Sequence, residues 1–358
     1  LFYFVVNAMH NMDGRGIATG FSFLDNRASF GIVQTLISYT EDDTYGRAFV
    51  IGLLNTLLVS GIGIVLATVL GFLIGIARLS NNWLLSRAAA VYIEVFRNIP
   101  LLLQVFFWYF CVLRALPAPR QSINVADAFF LNVRGLYVPA PKAENGFSVV
   151  TVAFVIAAIG AVFLRKWAKK RKELTGQPFP VFWGTLGVLF GLPLIVFFIA
   201  GMPLHWELPA LKGFNFRGGI TIIPELFSMV VALTIFTAAS IAEIVRSGIM
   251  AVSKGQVEAA HALGLKNGLT LRFVVIPQAM RVIIPPLTSQ YLNLVKNSSL
   301  ATAVGYPDLV SVFMGSTLNQ TGQAVEIIAM TMAVYLTISL VTSVLMNIYN
   351  AKKALVER

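Results

Sequence analysis

Charge is scarce in this sequence. Of its 358 residues only 12% are Asp, Glu, Lys or Arg, while 57% are hydrophobic. Soluble domains carry about 25% charged residues, so an ordinary soluble domain is excluded. There is one cysteine, Cys111, which excludes an intrachain disulfide. The three histidines, His10, His205 and His261, stand far apart and lack the spacing of a metal site. No G-x-x-x-x-G-K-[ST] phosphate loop occurs, so if ATP drives this protein another chain must bind it. No internal repeat and no low-complexity segment is visible. The charge that remains is unbalanced, +11 in all. It sits in short loops between apolar runs rather than on a soluble basic face, which argues against nucleic acid as a partner.

What is present is a series of long apolar runs. Ala48–Ala77 is thirty residues without a charge, and about 20 apolar residues span a bilayer core as a helix. A soluble helix of that length would show a polar face. The expected fold is all-α, a polytopic membrane protein of about eight transmembrane helices. The apolar opening Leu1–Val6 reads as the tail of a first span. A signal peptide is the other reading, disfavoured because no small-residue cleavage site follows. Seven further spans are expected near Ala48–Ala77, Ala88–Leu113, Gly146–Leu164, Pro180–Leu204, Ile220–Ala242, Val282–Val312 and Ala324–Tyr349. The Val282 run holds Pro285, Pro286 and Lys296, so a broken or kinked helix is expected there. Such backbone is tolerated at membrane depth only inside protein or beside a cavity.

Charge bias orients the chain. The loop 165–177 carries Arg165, Lys166, Lys169, Lys170, Arg171 and Lys172, and basic residues also mark the loop of Arg78 and Arg87, the loop 246–281 and the tail with Lys352, Lys353 and Arg358. Eight spans put all four on one side, the cytoplasmic one. The loop of Asp25, Glu41, Asp42 and Asp43 then lies outside. The loop 114–145, rich in proline and more basic than acidic, reads as an extended external segment that departs from the bias.

One cytoplasmic loop, 249–281, has a shape of its own. Lys254–Leu263 reads as a short amphipathic helix with Glu258 exposed, and Ala259, Ala260 and Ala262 leave room for another surface to approach. Gly264 is placed to end that helix in a left-handed conformation, and Pro277 is expected to stop the next short helix. The result would be a small rigid knob suited to force transfer.

Glu258-Ala259-Ala260, three residues, Gly264, nine residues, then Val274-x-Ile276-Pro277 resembles the EAA loop of ABC-importer permeases, with Val274 and Ile276 as mild departures. The stretches Glu94-Val95-Phe96-Arg97-Asn98-Ile99-Pro100-Leu101, Ala242-Glu243-x-x-Arg246-x-Gly248 and Lys296-Asn297-Ser298-Ser299-Leu300 with Gly305-x-Pro307-Asp308 are similar to the polar amino-acid permease subfamily, Asn98 replacing the usual Gly. Together they cover most of 48–112 and 222–350, and they are specific in combination only. The resemblance implies a type I importer core of five helices within 48–113 and 220–350, an N-terminal addition at 1–47, an insertion at 114–219 with two extra spans, and a cytoplasmic tail at 351–358. Chains so enlarged resemble the membrane subunits of general L-amino-acid importers of bacteria.

By that resemblance Glu258, Ala259, Ala260, Gly264 and Pro277 would contact an ATPase. The implied assembly has two ATPase subunits that hold ATP and Mg, a second related permease (a heterodimer rather than a homodimer), a periplasmic amino-acid-binding protein and an amino-acid substrate. This chain would hold no cofactor and catalyse nothing. It would sit in the bacterial inner membrane with its C-terminus cytoplasmic.

Other residues are open to two readings. Glu94 and Arg97 are spaced to pair on one helix face, and ionisable groups at membrane depth are also candidates for a substrate pathway. Gln104, Lys296, Asn297 and Ser298 are the other pathway candidates; Lys296 could meet a substrate carboxylate, Glu94 or Glu243, or snorkel to an interface. Glu243 and Arg246 read as a gate contact or, more simply, a structural ion pair near the cytoplasmic end. His261 reads as a solvated helix position ahead of a pH sensor. Gly71–Gly75 and Gly187–Gly191 fit the GxxxG packing pattern. Thr302–Tyr306 resembles a potassium filter, but Ala303 and Pro307 break its register. The alternative function, a stand-alone secondary transporter or channel for a small polar solute, predicts repeated halves, which are not visible, and leaves the loop 249–281 without a task. A purely structural assembly subunit would not need Lys296 and its polar neighbours.

Overall fold

The structure, a computed structural model, describes residues 19–177 and 179–353. The expected span at Leu1–Val6, His10 and Arg358 lie outside them. The principal described helices are α1 (Tyr45–Arg78), α2 (Trp83–Asn98), α3 (Leu101–Leu113), α4 (Phe147–Thr175), α5 (Val181–Ile199), α6 (Pro224–Met250), α7 (Lys254–Ala262), α8 (Asn267–Val304) and α9 (Ala324–Lys353), with a shorter helical stretch, Val310–Thr317 and Leu318–Thr321, between the last two. Six of them are long and apolar enough to cross a membrane, or seven if the bent pair α2 and α3 is one span. The protein is a multi-pass, predominantly helical membrane protein.

Local chemistry sets the helix limits. The Thr44 hydroxyl accepts from the Arg47 N–H at the start of α1, and Asn82 Oδ1 accepts from the N–H groups of Leu84 and Leu85 at the start of α2. Pro100 has no N–H to give, and there the chain turns by 104° between α2 and α3. Pro224 opens α6 at a position where a missing N–H costs nothing.

The chain divides into two compact units, one built from residues up to Leu116 and from Ile223 onward, the other from Pro117–Ile222. In the first unit α6 is the central helix, with Ala238, Ala239, Ile241, Ala242 and Val245 buried. Helices in a membrane associate through close packing of small residues. A Cβ on Gly71 would lie 2.6 Å from Ile241, and one on Gly75 would lie 2.7 Å from the Ala242 carbonyl, so these glycines let α1 and α6 touch. A Cβ on Gly187 or Gly191 would meet nothing within 4 Å among the described residues, so the second GxxxG match does not serve a close approach between the described helices. The Thr68 and Tyr291 hydroxyls, 2.8 Å apart, add a polar tie between α1 and α8.

One expectation about prolines is corrected and another is refined. Pro277 does not stop a helix, because α8 runs through it from Asn267 to Val304. Wide i→i+5 turns at Leu271–Val275 come just before it, the kind of local adjustment that accommodates a proline ring inside a helix. The Val282 run is broken as expected, but not at Pro285 and Pro286, which lie inside helical backbone with Ile283 and Ile284 buried beside them. The break falls later, at Gly305, whose φ of +79° ends the helix. Thr302–Val304 is helical, not the extended backbone of a filter.

The second unit holds the α4–α5 pair and, in place of an extended loop, eight short antiparallel strands. These are β1 (Ile123–Val125), β2 (Phe129–Asn132), β3 (Gly135–Val138), β4 (Ala140–Ala143), β5 (Leu204–Glu207), β6 (Ala210–Lys212), β7 (Asn215–Arg217) and β8 (Ile220–Ile222). They pair as β1-β2-β3-β8, β4-β5 and β6-β7. Phe130 lies opposite Tyr137, which lies opposite Thr221, and Phe216 stacks on both aromatic rings at 4.8 and 4.6 Å. Lys142 donates to Glu207 at 2.9 Å and holds that carboxyl below its usual range. The prolines of 114–145 mask strand pattern in the sequence, and each strand is only three or four residues long.

Candidate functional site

α7 presents the exposed residues Lys254, Gln256, Glu258, Ala259, His261 and Ala262, with Ala260 the buried member. Its end is closed by a complete Schellman motif. Gly264 has φ +77°, its N–H donates to the His261 carbonyl at 2.9 Å, and the Leu265 N–H donates to the Ala260 carbonyl at 3.1 Å. A Cβ on Gly264 would meet no atom, so the backbone angle, not crowding, is what requires glycine there. Leu263, 82% exposed, stands at the tip. Three residues after Gly264, α8 begins. The knob and the long helix are thus one continuous piece of backbone.

A second set of candidates lies on α2, α6 and α8. Arg97, Ser240, Glu243, Ser247, Pro286 and Gln290 are among the residues lining a cleft of about 310 Å³. Glu243 and Arg246 form a two-pronged ion pair, Nε to Oε2 at 3.0 Å and NH2 to Oε1 at 2.5 Å, with 29% of each side chain exposed. The expected pairing of Glu94 with Arg97 is not found: both are exposed, and no ion pair joins them among the described residues. Arg97 turns to the cleft that Glu243 also lines. Lys296 is exposed on α8 and pairs with neither Glu94 nor Glu243 among the described residues. With Ser289 and Asn293 it forms an exposed polar row at helical spacing. Ser298 is buried and returns its hydroxyl to the Val295 carbonyl at 2.7 Å, so it is no free donor. Asn297, half-buried, lies between them.

Gln104 has a different task from the one expected. It is 5% exposed, and its amide donates to the carbonyls of Phe96 and Ile99, each at 2.9 Å. The Phe96 carbonyl would ordinarily accept from residue 100, which is proline. Gln104 supplies the bond that Pro100 cannot.

One cluster is not among the site residues expected from the sequence. Asp308 is fully buried and accepts from the Ser311 N–H at 2.8 Å and the Thr302 hydroxyl at 3.2 Å. Around it, Asn55 donates to the Pro307 carbonyl at 2.9 Å, Tyr306 donates to the Asn55 carbonyl at 3.1 Å, and the Leu309 N–H donates to Thr56 at 3.0 Å. The turn after α8 is bolted to α1. The available signal was Gly305-x-Pro307-Asp308 itself, an acid beside a proline at the end of an apolar run, together with two uncharged polar residues, Asn55 and Thr56, inside another.

The chain is similar to known proteins over most of its length. Residues 174–354 match the family described as "Binding-protein-dependent transport system inner membrane component". The chain is 59% identical over 353 residues to the putative amino-acid ABC transporter permease protein YhdX of Escherichia coli, covering 98% of this chain and 90% of that one. It is 52% identical over 352 residues to the general L-amino acid transport system permease protein AapQ of Rhizobium johnstonii, covering 98% and 88%. It is 42% identical over 389 aligned positions to the glutamate/glutamine/aspartate/asparagine transport system permease protein BztB of Rhodobacter capsulatus, covering 100% and 91%. A crystal structure of an amino acid ABC transporter with histidines shares the fold, with a TM-score of 0.50 at 21% identity, over 86% of this chain and 95% of that one. With the exposed knob, the bundle around α6 and relatives matched over nearly the whole chain, the protein belongs to the family of binding-protein-dependent transport system inner membrane components.

Proposed function

We propose that the chain is the permease subunit of an ATP-binding-cassette importer of L-amino acids. The observation that carries this reading is the knob: an exposed helix, rigidly capped at Gly264 and continuous with a helix long enough to cross the bilayer. Glu258, Ala259 and Ala260 offer a docking surface, Gly264 keeps its shape, and Pro277 lies in the helix that leads away from it. The cargo class follows from the relatives, which are named for general L-amino acids and for glutamate, glutamine, aspartate and asparagine.

In this reading two ATPase subunits hold ATP and Mg and grip the knobs of this chain and of a related, different permease. A periplasmic protein delivers the amino acid. The assembly lies in the bacterial inner membrane, with the basic loops and the C-terminus cytoplasmic. Each conformational step is driven by differential binding energy between states, and no bond of the amino acid is made or broken. The pathway candidates are Lys296, Asn297, Glu94 and Arg97. Charges facing lipid are costly, about 3 kcal/mol at a helix centre on insertion scales, so the exposed rows of α2 and α8 are faces for protein or water. Glu243 and Arg246 act as a structural pair beside the Arg97 cleft, while Gln104 and Ser298 hold backbone.

The test is reconstitution of the assembled complex in vesicles with a panel of L-amino acids. Stimulated ATP hydrolysis and uptake by a subset of the panel are expected. Uptake that persists without the ATPase would defeat the proposal, as would an ATPase that no amino acid stimulates.

A further inference from the structure

The α4–α5 pair carries features that amino-acid transport does not use. The last turns of α4 bear Arg165, Lys166, Lys169, Lys170, Arg171 and Lys172, with Glu173 the one acid, 3.9 Å from Lys169. Aromatic rings crowd the same end. Trp167 meets Phe179 edge-on at 5.5 Å, Arg171 lies 5.4 Å from the Trp167 ring, and Phe182 and Trp183 are exposed. A Cβ on Gly184 would come within 2.6 Å of the Phe179 ring, so glycine there lets Phe179 fold back against the pair. Aromatic belts and snorkelling cations are the furniture of a membrane–water interface.

Beside this belt is a cleft of about 220 Å³, lined by Arg165, Val181, Phe182, Thr185, Leu186 and Leu189. Its wall is apolar except for two groups. Arg165 is exposed and makes no ion pair among the described residues. Thr185 is only 6% exposed, and its hydroxyl has no hydrogen-bond partner among the described residues. A buried hydroxyl left without a partner is costly. A headgroup oxygen entering the cleft would supply one. The cleft therefore combines an apolar trough, a free guanidinium and an unsatisfied hydroxyl, at the end of the pair where five further cations raise the local potential.

We propose that this cleft binds an anionic phospholipid, with its headgroup phosphate at Arg165 and Thr185 and an acyl chain along Val181, Leu186 and Leu189. Guanidinium and phosphate form strong charge-assisted hydrogen bonds, and basic pockets between helices on the cytoplasmic side suit anionic headgroups. A zwitterionic lipid fits the trough but gains less from the cations. Inorganic phosphate fits the cations but not the trough.

The full-length chain in nanodiscs of phosphatidylethanolamine mixed with phosphatidylglycerol tests this, with retained lipid read by native mass spectrometry. Retention of phosphatidylglycerol in clear preference to phosphatidylethanolamine is expected. Arg165→Gln should weaken that retention about tenfold and Thr185→Val about threefold, while Thr185→Ser stays near the parent. Equal retention of the two lipids overturns the proposal, as does parental retention in both Arg165→Gln and Thr185→Val. If Arg165→Gln fails to insert, Thr185→Val, which keeps the size, and Thr185→Ser, which keeps the hydroxyl, decide alone. Displacement of the lipid by excess inorganic phosphate would assign the site to free phosphate and overturn the lipid reading; lipid that stays bound supports it.

Discussion

The side-chain amide of Gln104 donates to the main-chain carbonyl of Phe96 at 2.9 Å, bridging the 104° turn between α2 and α3. A second bond runs to Ile99. Gln104→Leu keeps the volume but leaves both carbonyls without partners, so it should destabilise the protein by about 1–3 kcal/mol. Thermal unfolding of the purified chain reads this directly. An unchanged midpoint would show that water or a neighbour satisfies the bend without Gln104.

Gly264→Pro should leave the protein inserted but uncouple it from its ATPase. Proline fixes φ near −65°, whereas the knob needs +77° at this position. It also removes the N–H that bonds His261. Co-purification with the ATPase and substrate-stimulated hydrolysis are the measurements, and normal values for both in the variant would sink the idea.

Lys296→Ala should reduce amino-acid uptake about tenfold or more, the worth of a charge-assisted hydrogen bond to a carboxylate, without preventing assembly. Lys296 is exposed and makes no hydrogen bond or ion pair among the described residues through its ammonium, so its loss removes no internal polar bond among them. Unimpaired uptake in vesicles would take Lys296 off the pathway.

Thr56→Val is nearly isosteric and deletes the acceptor for the buried Leu309 N–H. It should cost about 1–2 kcal/mol, seen as a lower unfolding temperature, while Leu57→Val on the exposed side of the same helix should cost less. Equal effects of the two would mean that the bond contributes nothing beyond packing.

Apolar runs longer than a bilayer core made the helical spans legible in the sequence, because twenty apolar residues have few other fates. The knob was legible too, since Gly264 ends α7 through a local backbone preference. Proline misled twice. Read locally, Pro277 is a stop and Pro285 and Pro286 mark a break or kink, yet α8 passes through all three with wide turns and buried neighbours around them. The β-module was hidden because strands of three or four residues set by cross-strand aromatics, Phe130, Tyr137 and Phe216, leave no periodic trace. Gln104 and Thr56 were opaque for a different reason: their partners are backbone groups, and only the folded path shows which carbonyls and N–H groups a proline or a turn has left wanting.

α8 is 38 residues long, roughly 57 Å at 1.5 Å per residue. One end starts three residues past the Gly264 cap, and the other enters the turn fastened to α1 through Leu309 and Asn55. The cap of the knob and the turn at Asp308 are therefore the two ends of one helix, with no loop between them.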